Sequence, residues 1–156
     1  MNYLYRRINL NDVELISKAR VEFLEEADGK MTAEDRDLLY SEIAGYFRRE
    51  IPNNNFTGFL AFDKDGLAAT SGINFYTAPP DGKNMSGKVA NIQNIYTLPQ
   101  HRGKGIASRL MSMLIEEAKE RGCDKIILNA TDAGRRIYEK LGFTDLQNEM
   151  VLWAGK

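Results

Sequence analysis

The stretch that most restricts how this chain can fold is Asn91–Ala118, where a β-prone run, a glycine-rich turn and an amphipathic helix follow one another without a spacer. Ile92, Ile95 and Tyr96 belong to the β-prone run. Leu98-Pro99 ends it, because proline has no N–H and pushes the preceding residue out of helical space. Gln100-His101-Arg102-Gly103-Lys104-Gly105 comes next, and then Ile106, Leu110, Leu114 and Ala118 repeat every fourth position, with Ala107, Met111 and Ile115 beside them. That spacing is one apolar face of a helix. A strand, a glycine turn and a helix in this order can hold an anion. The first N–H groups of a helix lack partners within it, and the helix dipole favours negative charge there by about 0.3–1 kcal/mol. Gly103 and Gly105 would let a phosphate approach the backbone, and Arg102 and Lys104 add charge. Taken alone, the hexapeptide is equally compatible with a surface turn whose glycines only tighten the chain.

The 156 residues suit one domain with its own core. A net charge of −1, with basic residues scattered among acidic ones, gives no electrostatic footprint for nucleic acid or an anionic membrane. Cys123 stands alone, so no internal disulfide can form, and its place at a helix-to-strand join suits packing. His101 is the single histidine, which rules out a histidine-rich metal site, and no metal is expected. The first twelve residues are not followed by the long apolar run of a signal peptide, and no apolar run reaches transmembrane length. A cytoplasmic protein is the resulting expectation.

Along the chain, Tyr3–Ile8 alternates like a strand. Asn11 or Asp12 caps a helix over Val13–Ala27, and Thr32 caps a second that ends near Glu50, with Leu38, Leu39, Ile43, Tyr46 and Phe47 as its apolar face. Phe56–Phe62, the turn Asp63-Lys64-Asp65-Gly66 and Leu67–Tyr76 form a hairpin. A polar loop leads to the fourth strand, Lys88–Thr97. After the amphipathic helix come a fifth strand at Asp124–Ala130, a last helix at Ala133–Leu141 and a final strand at Glu149–Trp153. The order β-αα-βββ-α-β-α-β predicts a single-domain α/β protein with a mixed, mostly antiparallel sheet and helices on both faces. Strands four and five flank a helix and should be parallel.

Gln100-His101-Arg102-Gly103-Lys104-Gly105-Ile106-Ala107 resembles the acyl-CoA pyrophosphate motif of the GNAT superfamily of N-acetyltransferases. Ala133-Gly134-Arg135-Arg136-Ile137-Tyr138-Glu139-Lys140-Leu141-Gly142-Phe143 resembles that family's second signature, a tyrosine-bearing helix closing in Leu-Gly-Phe. The motifs cover Lys88–Phe143, and the first 87 residues fit by element order. The resemblance implies that strands four and five splay apart and that the pantetheine arm of acetyl-CoA pairs with the backbone of Ile95, Tyr96 and Thr97. It implies pyrophosphate contacts at the N–H groups of Arg102, Gly103, Lys104, Gly105 and Ala107, with Ser108 beside them. It places Asn129 against the cosubstrate and Tyr138 near the thioester sulfur, as general acid to the leaving thiolate. The implied activity is transfer of acetyl from acetyl-CoA to a primary amine, on a small molecule or a peptide, by direct attack in a ternary complex. Such an attack needs positioning, an oxyanion donor and a proton for the thiolate, and no covalent acyl-enzyme.

The general base is open. Asn91, Gln93, Asn94 and Asn129 cannot take a proton at neutral pH. Glu22, Glu25 or Glu26 on the first helix could serve, or water chains; a solvated helix end is the plainer role for those glutamates. Tyr138 read alone fits a core tyrosine as well. Arg135, Arg136 and His101 read as surface residues, and Tyr76, Tyr96 and Trp153 as core or cleft wall. The alternative to an enzyme is a non-catalytic acyl-CoA-binding sensor or interaction module. A dinucleotide-binding domain fits worse, since Ser108 stands where a third glycine would be needed. The acceptor should be set by the first two helices and Tyr76–Gly87, and a homodimer is left open.

Overall fold

The structure, a computed structural model, describes residues 2–155. The chain runs β1 (Leu4–Arg7), α1 (Val13–Asp28), α2 (Ala33–Glu50), β2 (Phe56–Thr57), β3 (Phe59–Asp63), β4 (Gly66–Thr77), β5 (Lys88–Thr97), α3 (Ile106–Glu120), β6 (Lys125–Leu128) and α4 (Arg135–Lys140). One sheet holds all six strands in the order β1-β3-β4-β5-β6, with β2 also paired to β4. Every pairing is antiparallel except β5 with β6, the expected fourth and fifth strands, which are parallel.

Each face of the sheet has its own apolar core. The two-residue period of a strand sends Phe59 and Ala61 to one face, where they meet Ile106, Leu110, Met111 and Leu114 of α3. Leu60, between them, points to the other face and packs with Ile16 of α1 and Phe47 of α2. Leu110, Met111 and Leu114 are fully buried, each contributing about 1.5–3 kcal/mol of transfer free energy. The α3 stripe read from the sequence is therefore the seam that fixes this helix, and with it the glycine turn.

The sequence expectations fail at several places, among them the α1 cap, where Asp12 makes no side-chain cap bond. The expected second strand breaks at Gly58, where a Cβ would lie 2.1 Å from the Ser71 carbonyl oxygen. Leu38, which spacing puts on the apolar face of α2, is exposed. No strand forms at Glu149–Trp153: the segment is irregular, and Met150, Val151, Leu152 and Trp153 are all exposed, so Trp153 is neither core nor cleft wall. Its alternation satisfies a strand pattern, but pairing needs a partner edge, and this segment meets none among the described residues.

The entry to α1 is fastened by charge. Asp12 is buried, accepts a bidentate pair from Arg6 at 2.8 Å on each oxygen, and accepts the Asn9 N–H at 2.8 Å. The Arg6 guanidinium, helped by the Asn9 N–H, holds the Asp12 carboxyl below its usual range despite burial. A depressed folded pKa gives stability that is present above the unfolded pKa and is lost as pH falls through the folded value. Asp12→Asn is expected to lower stability at neutral pH by about 1–3 kcal/mol. The gap to the parent should close as pH falls below the ordinary aspartate range. Urea melts at neutral and acidic pH read this directly, and a gap independent of pH would contradict it.

Candidate active site

β5 and β6 part company inside the sheet. Their pairing ends at Ile92 opposite Leu128, although β5 continues to Thr97. Ile95, Tyr96 and Thr97 therefore have no strand beside them on the β6 side. The cause lies two residues beyond the last pair. Asn94 has a φ of 62°, a left-handed conformation that few residues other than glycine adopt, and the β4–β5 register shifts there. This is a β-bulge, which bends a strand and ends its pairing. The Thr70 hydroxyl donates to the Asn94 carbonyl at 2.9 Å and holds the bulge. Gly72 makes room for it, since a Cβ there would lie 2.5 Å from the Phe56 ring and 3.2 Å from the Asn94 Cβ.

Three cavities follow one another along this gap. The first, about 500 Å³, runs from the glycine turn to Tyr138. Ile95, Tyr96, Thr97, Arg102, Gly103, Gly105, Ala107, Ser108 and Tyr138 line it, so the structure gathers these candidates in one cleft. Lys104 and Asn129 are not on its wall; Lys104 is exposed, and Asn129 lines the next cavity. The second cavity, about 230 Å³, fills the gap between the diverging strands and shares Phe23, Ile95, Thr131 and Tyr138 with the first. The third, about 340 Å³, opens between α1 and α2 and shares Arg20, Gln93 and Asn94 with the second.

The turn has the geometry that anion binding requires. Gly103 and Gly105 sit at φ of 76° and 79°, and open space lies where each Cβ would be. No side chain caps α3, so the N–H groups of Ile106, Ala107 and Ser108 are left without acceptors by the helix itself. Arg102 is partly engaged already. Its N–H reaches the Pro99 carbonyl at 3.3 Å, its Nε donates to the Thr97 carbonyl, and its Nη2 pairs with Glu26 at 2.8 Å. His101 is not the solvated residue that the sequence suggested. It is buried, its Nδ1 lies 3.0 Å from the Tyr3 hydroxyl and its Nε2 3.5 Å from Asp63, which ties the turn to β1 and β3.

Tyr138 stands where the first two cavities meet. It is 8 % exposed, and its hydroxyl bonds to no other described residue. Burial raises the phenol pKa above its usual value, so the proton stays on throughout the neutral range. The ring is held edge-on by Phe143, 6.3 Å away between centroids. Gly134 supports it from beneath, because a Cβ there would lie 2.7 Å from the ring and its hydroxyl. The Ala-Gly-Arg-Arg and Leu-Gly-Phe ends of the second motif thus both serve the tyrosine between them.

The carboxylates of α1 are differently placed. Glu25 is taken up by Arg36 and the Met31 N–H, and Glu26 by Arg102, while Glu22 is exposed. Arg135 pairs with Asp145 at the surface, and Tyr76 of β4 is exposed and borders a separate cavity with Asn91 and β6. Two residues of the gap escaped the sequence reading as site candidates. Asn94 had one legible signal, an Asn in a β-prone run, which is the residue type most tolerant of left-handed backbone. Arg20 also had one, a charge on the apolar side of α1 in line with Val13, Ile16, Ala19, Phe23 and Leu24, but what it meets comes from β5.

Comparison with known proteins gives one consistent family. The acetyltransferase (GNAT) family model matches residues 20–143. A solved structure described as "predicted acetyltransferase with acetyl-CoA", from Clostridium acetobutylicum, superposes with a TM-score of 0.88 at 33% identity, covering 97% of this chain and 96% of that one. Glucosamine 6-phosphate N-acetyltransferase of Candida albicans is 25% identical over 149 residues, 96% of this chain and 94% of that one. Glucosamine 6-phosphate N-acetyltransferase 1 of rice is 33% identical over 67 residues, 43% of this chain. The aligned stretch spans about two fifths of the length of the rice relatives.

Gly134→Ala tests the placement of the tyrosine. Its backbone φ of −90° accepts alanine, so the added methyl should displace the ring rather than strain the chain. A crystal structure of the variant should show the phenol moved, with thermal stability little altered. A ring found in its original place would contradict this account of its support.

Proposed function

The chain belongs to the acetyltransferase (GNAT) family, and from that premise we propose that it transfers acetyl from acetyl-CoA to the nitrogen of a primary amine, by direct attack within a ternary complex. The observation that carries this reading is the position of Tyr138, a buried, unbonded, protonated phenol at the junction between the glycine-turn cleft and the gap in the sheet.

The residues divide the work. Gly103, Gly105 and Ala107 offer N–H groups to the pyrophosphate, with Arg102, Lys104 and Ser108 around them. The backbone edge of Ile95, Tyr96 and Thr97, stripped of its β6 partner, pairs with the amides of the pantetheine arm. Bound this way, acetyl-CoA presents its thioester carbonyl at the gap, and Asn129 flanks the acetyl end from the tip of β6. A strand-edge N–H beside the bulge donates to the carbonyl oxygen as it becomes an oxyanion. The amine nitrogen forms the new C–N bond, the C–S bond breaks, and the Tyr138 phenol gives its proton to the departing sulfur. The nitrogen sheds one proton to water in the cavity that opens between α1 and α2, and water returns a proton to the Tyr138 phenolate once the thiol has formed. Holding the two reactants in line can by itself supply around 7–11 kcal/mol of the barrier reduction.

The non-catalytic alternative would need no free acid at the thioester. The unbonded hydroxyl of Tyr138 therefore favours the enzyme. The relative from Candida albicans is named for an amine acceptor, glucosamine 6-phosphate, which supports an amine here also.

Titration calorimetry with acetyl-CoA should show binding near one equivalent per chain, and Gly103→Glu should abolish it by filling the anion cradle. Tyr138→Phe should leave that affinity nearly unchanged and lower kcat by on the order of a hundredfold. Unaltered turnover in the phenylalanine variant would remove the acid role, and failure to bind acetyl-CoA would overturn the function.

A further inference from the structure

We propose that the amine accepted by this protein carries an anionic group, a carboxylate or a phosphate, and that Arg20 holds that group in the cavity between α1 and α2; the inference rests on the acetyl-transfer reading and names its second substrate by class.

Among the described residues Arg48, Arg109 and Arg136 also lack a carboxylate partner but are exposed, whereas Arg20 lacks one while partly buried. Arg6, Arg7, Arg36, Arg102 and Arg121 each pair with a carboxylate at 3.0 Å or less. Arg20 projects from α1 between the second and third cavities and is half-buried. Among the described residues no carboxylate lies within 4.0 Å of it, and its one hydrogen bond is a long contact of 3.5 Å to Gln93 Oε1. Burial pulls its pKa down, the sign of a cation without compensation. A guanidinium taken out of water without a counter-ion is costly, and a fold retains one where a ligand supplies the missing charge. The planar donor fork of arginine fits the oxygens of a carboxylate or a phosphate in a bidentate manner.

The neighbours have the same bias. Gln93 accepts from Arg20 and donates through Nε2 to Asn74 Oδ1 at 3.2 Å, which orients the Asn74 amide nitrogen as a further donor. Asn94, 3 % exposed, has both amide atoms without a partner. The opposite wall is apolar, formed by Ile43, Phe47 and Phe56. Glu42, exposed, is the carboxylate on the rim, and it forms no ion pair with Arg20. A volume of about 340 Å³ is at the small end of ligand pockets and suits a compact molecule.

The route agrees with the chemistry. Arg20, Gln93 and Asn94 border both this cavity and the gap, and the gap ends at Tyr138. An acceptor anchored by its anion at Arg20 can therefore extend its amine toward the thioester carbonyl. Tyr76–Gly87, expected to help choose the acceptor, contributes nothing to this wall.

The test uses the full chain, acetyl-CoA and pairs of amines that differ only in charge: β-alanine with 3-aminopropanol, and 2-aminoethyl phosphate with ethanolamine. Release of free thiol reports turnover, and the two anionic members distinguish carboxylate from phosphate. The better anionic amine should exceed its neutral partner in kcat/KM by at least about tenfold. In Arg20→Gln that ratio should fall to within about threefold, through KM rather than kcat, while Arg20→Lys keeps part of it. Affinity for acetyl-CoA should stay the same in both variants. Equal or better use of the neutral amines by the parent chain would overturn the proposal, with no variant needed. So would a preference that survives in Arg20→Gln, or neither turnover nor calorimetric binding of either anionic amine by a chain that binds acetyl-CoA. A parent chain that binds no acetyl-CoA would remove the acetyl-transfer reading itself, and this inference with it.

Discussion

One extra residue in β5 sets the working geometry of the molecule. Asn94 turns left-handed at φ 62°, and two positions before it the parallel pairing with β6 stops. A residue other than glycine in that conformation costs of the order of 1 kcal/mol or more, so something must hold it there. The Thr70 hydroxyl bonds to its carbonyl, and the missing side chain of Gly72 leaves it space. A continuous β5–β6 ladder would satisfy more backbone hydrogen bonds and would also close the gap where the three cavities meet. The strain and the unpaired edge belong together: the sheet gives up pairing beside the bulge, where the cleft and the gap adjoin.

The rest of the fold serves to keep that opening fixed. α3 lies on one face with its apolar stripe fully buried, so the glycine turn at its N-terminus has a fixed position relative to β5. His101, buried against Tyr3 and Asp63, ties the same turn to β1 and β3. On the other face, α1 and α2 close over Leu60 and Phe56, and the Arg6–Asp12 pair fastens the start of α1. Because α1 is fixed at its N-terminus and packed along its length, Arg20 is delivered to the edge of the gap and Glu26 to Arg102. Tyr138 belongs to the core on the α3 side and reaches the gap, held from below by the absence of a side chain at Gly134 and edge-on by Phe143.

Elements whose signal is local were legible. The α3 stripe, the Asp63–Gly66 hairpin, the Thr32 cap and the parallel β5–α3–β6 unit all appear where spacing and turn chemistry put them. Glu149–Trp153 shows the limit of such patterns. Its composition suits a strand, yet a strand exists only when an edge accepts it, and nothing in five residues reports the state of a distant edge. Leu38 shows the same limit for a helix, where a position on the apolar side still ends in solvent if no element packs over it. His101 errs the other way, as a polar residue in a glycine-rich turn that is buried because β1 and β3 supply its partners.

By itself, the sequence determined which segments are helix and strand through Asn91–Ala118, that a glycine turn precedes α3, and that a tyrosine rides on the last helix. Those follow from backbone preference and from apolar periodicity, which act over a few residues. The tertiary structure alone decided that β5 and β6 separate at Asn94, that Tyr138 keeps an unbonded hydroxyl at the junction of two cavities, and that Arg20 is left without a carboxylate. Each of those depends on atoms brought together from positions far apart in the chain, and the energies concerned — a desolvated charge, an unpaired edge, a ring packed against a glycine — exist only once the chain has closed around them.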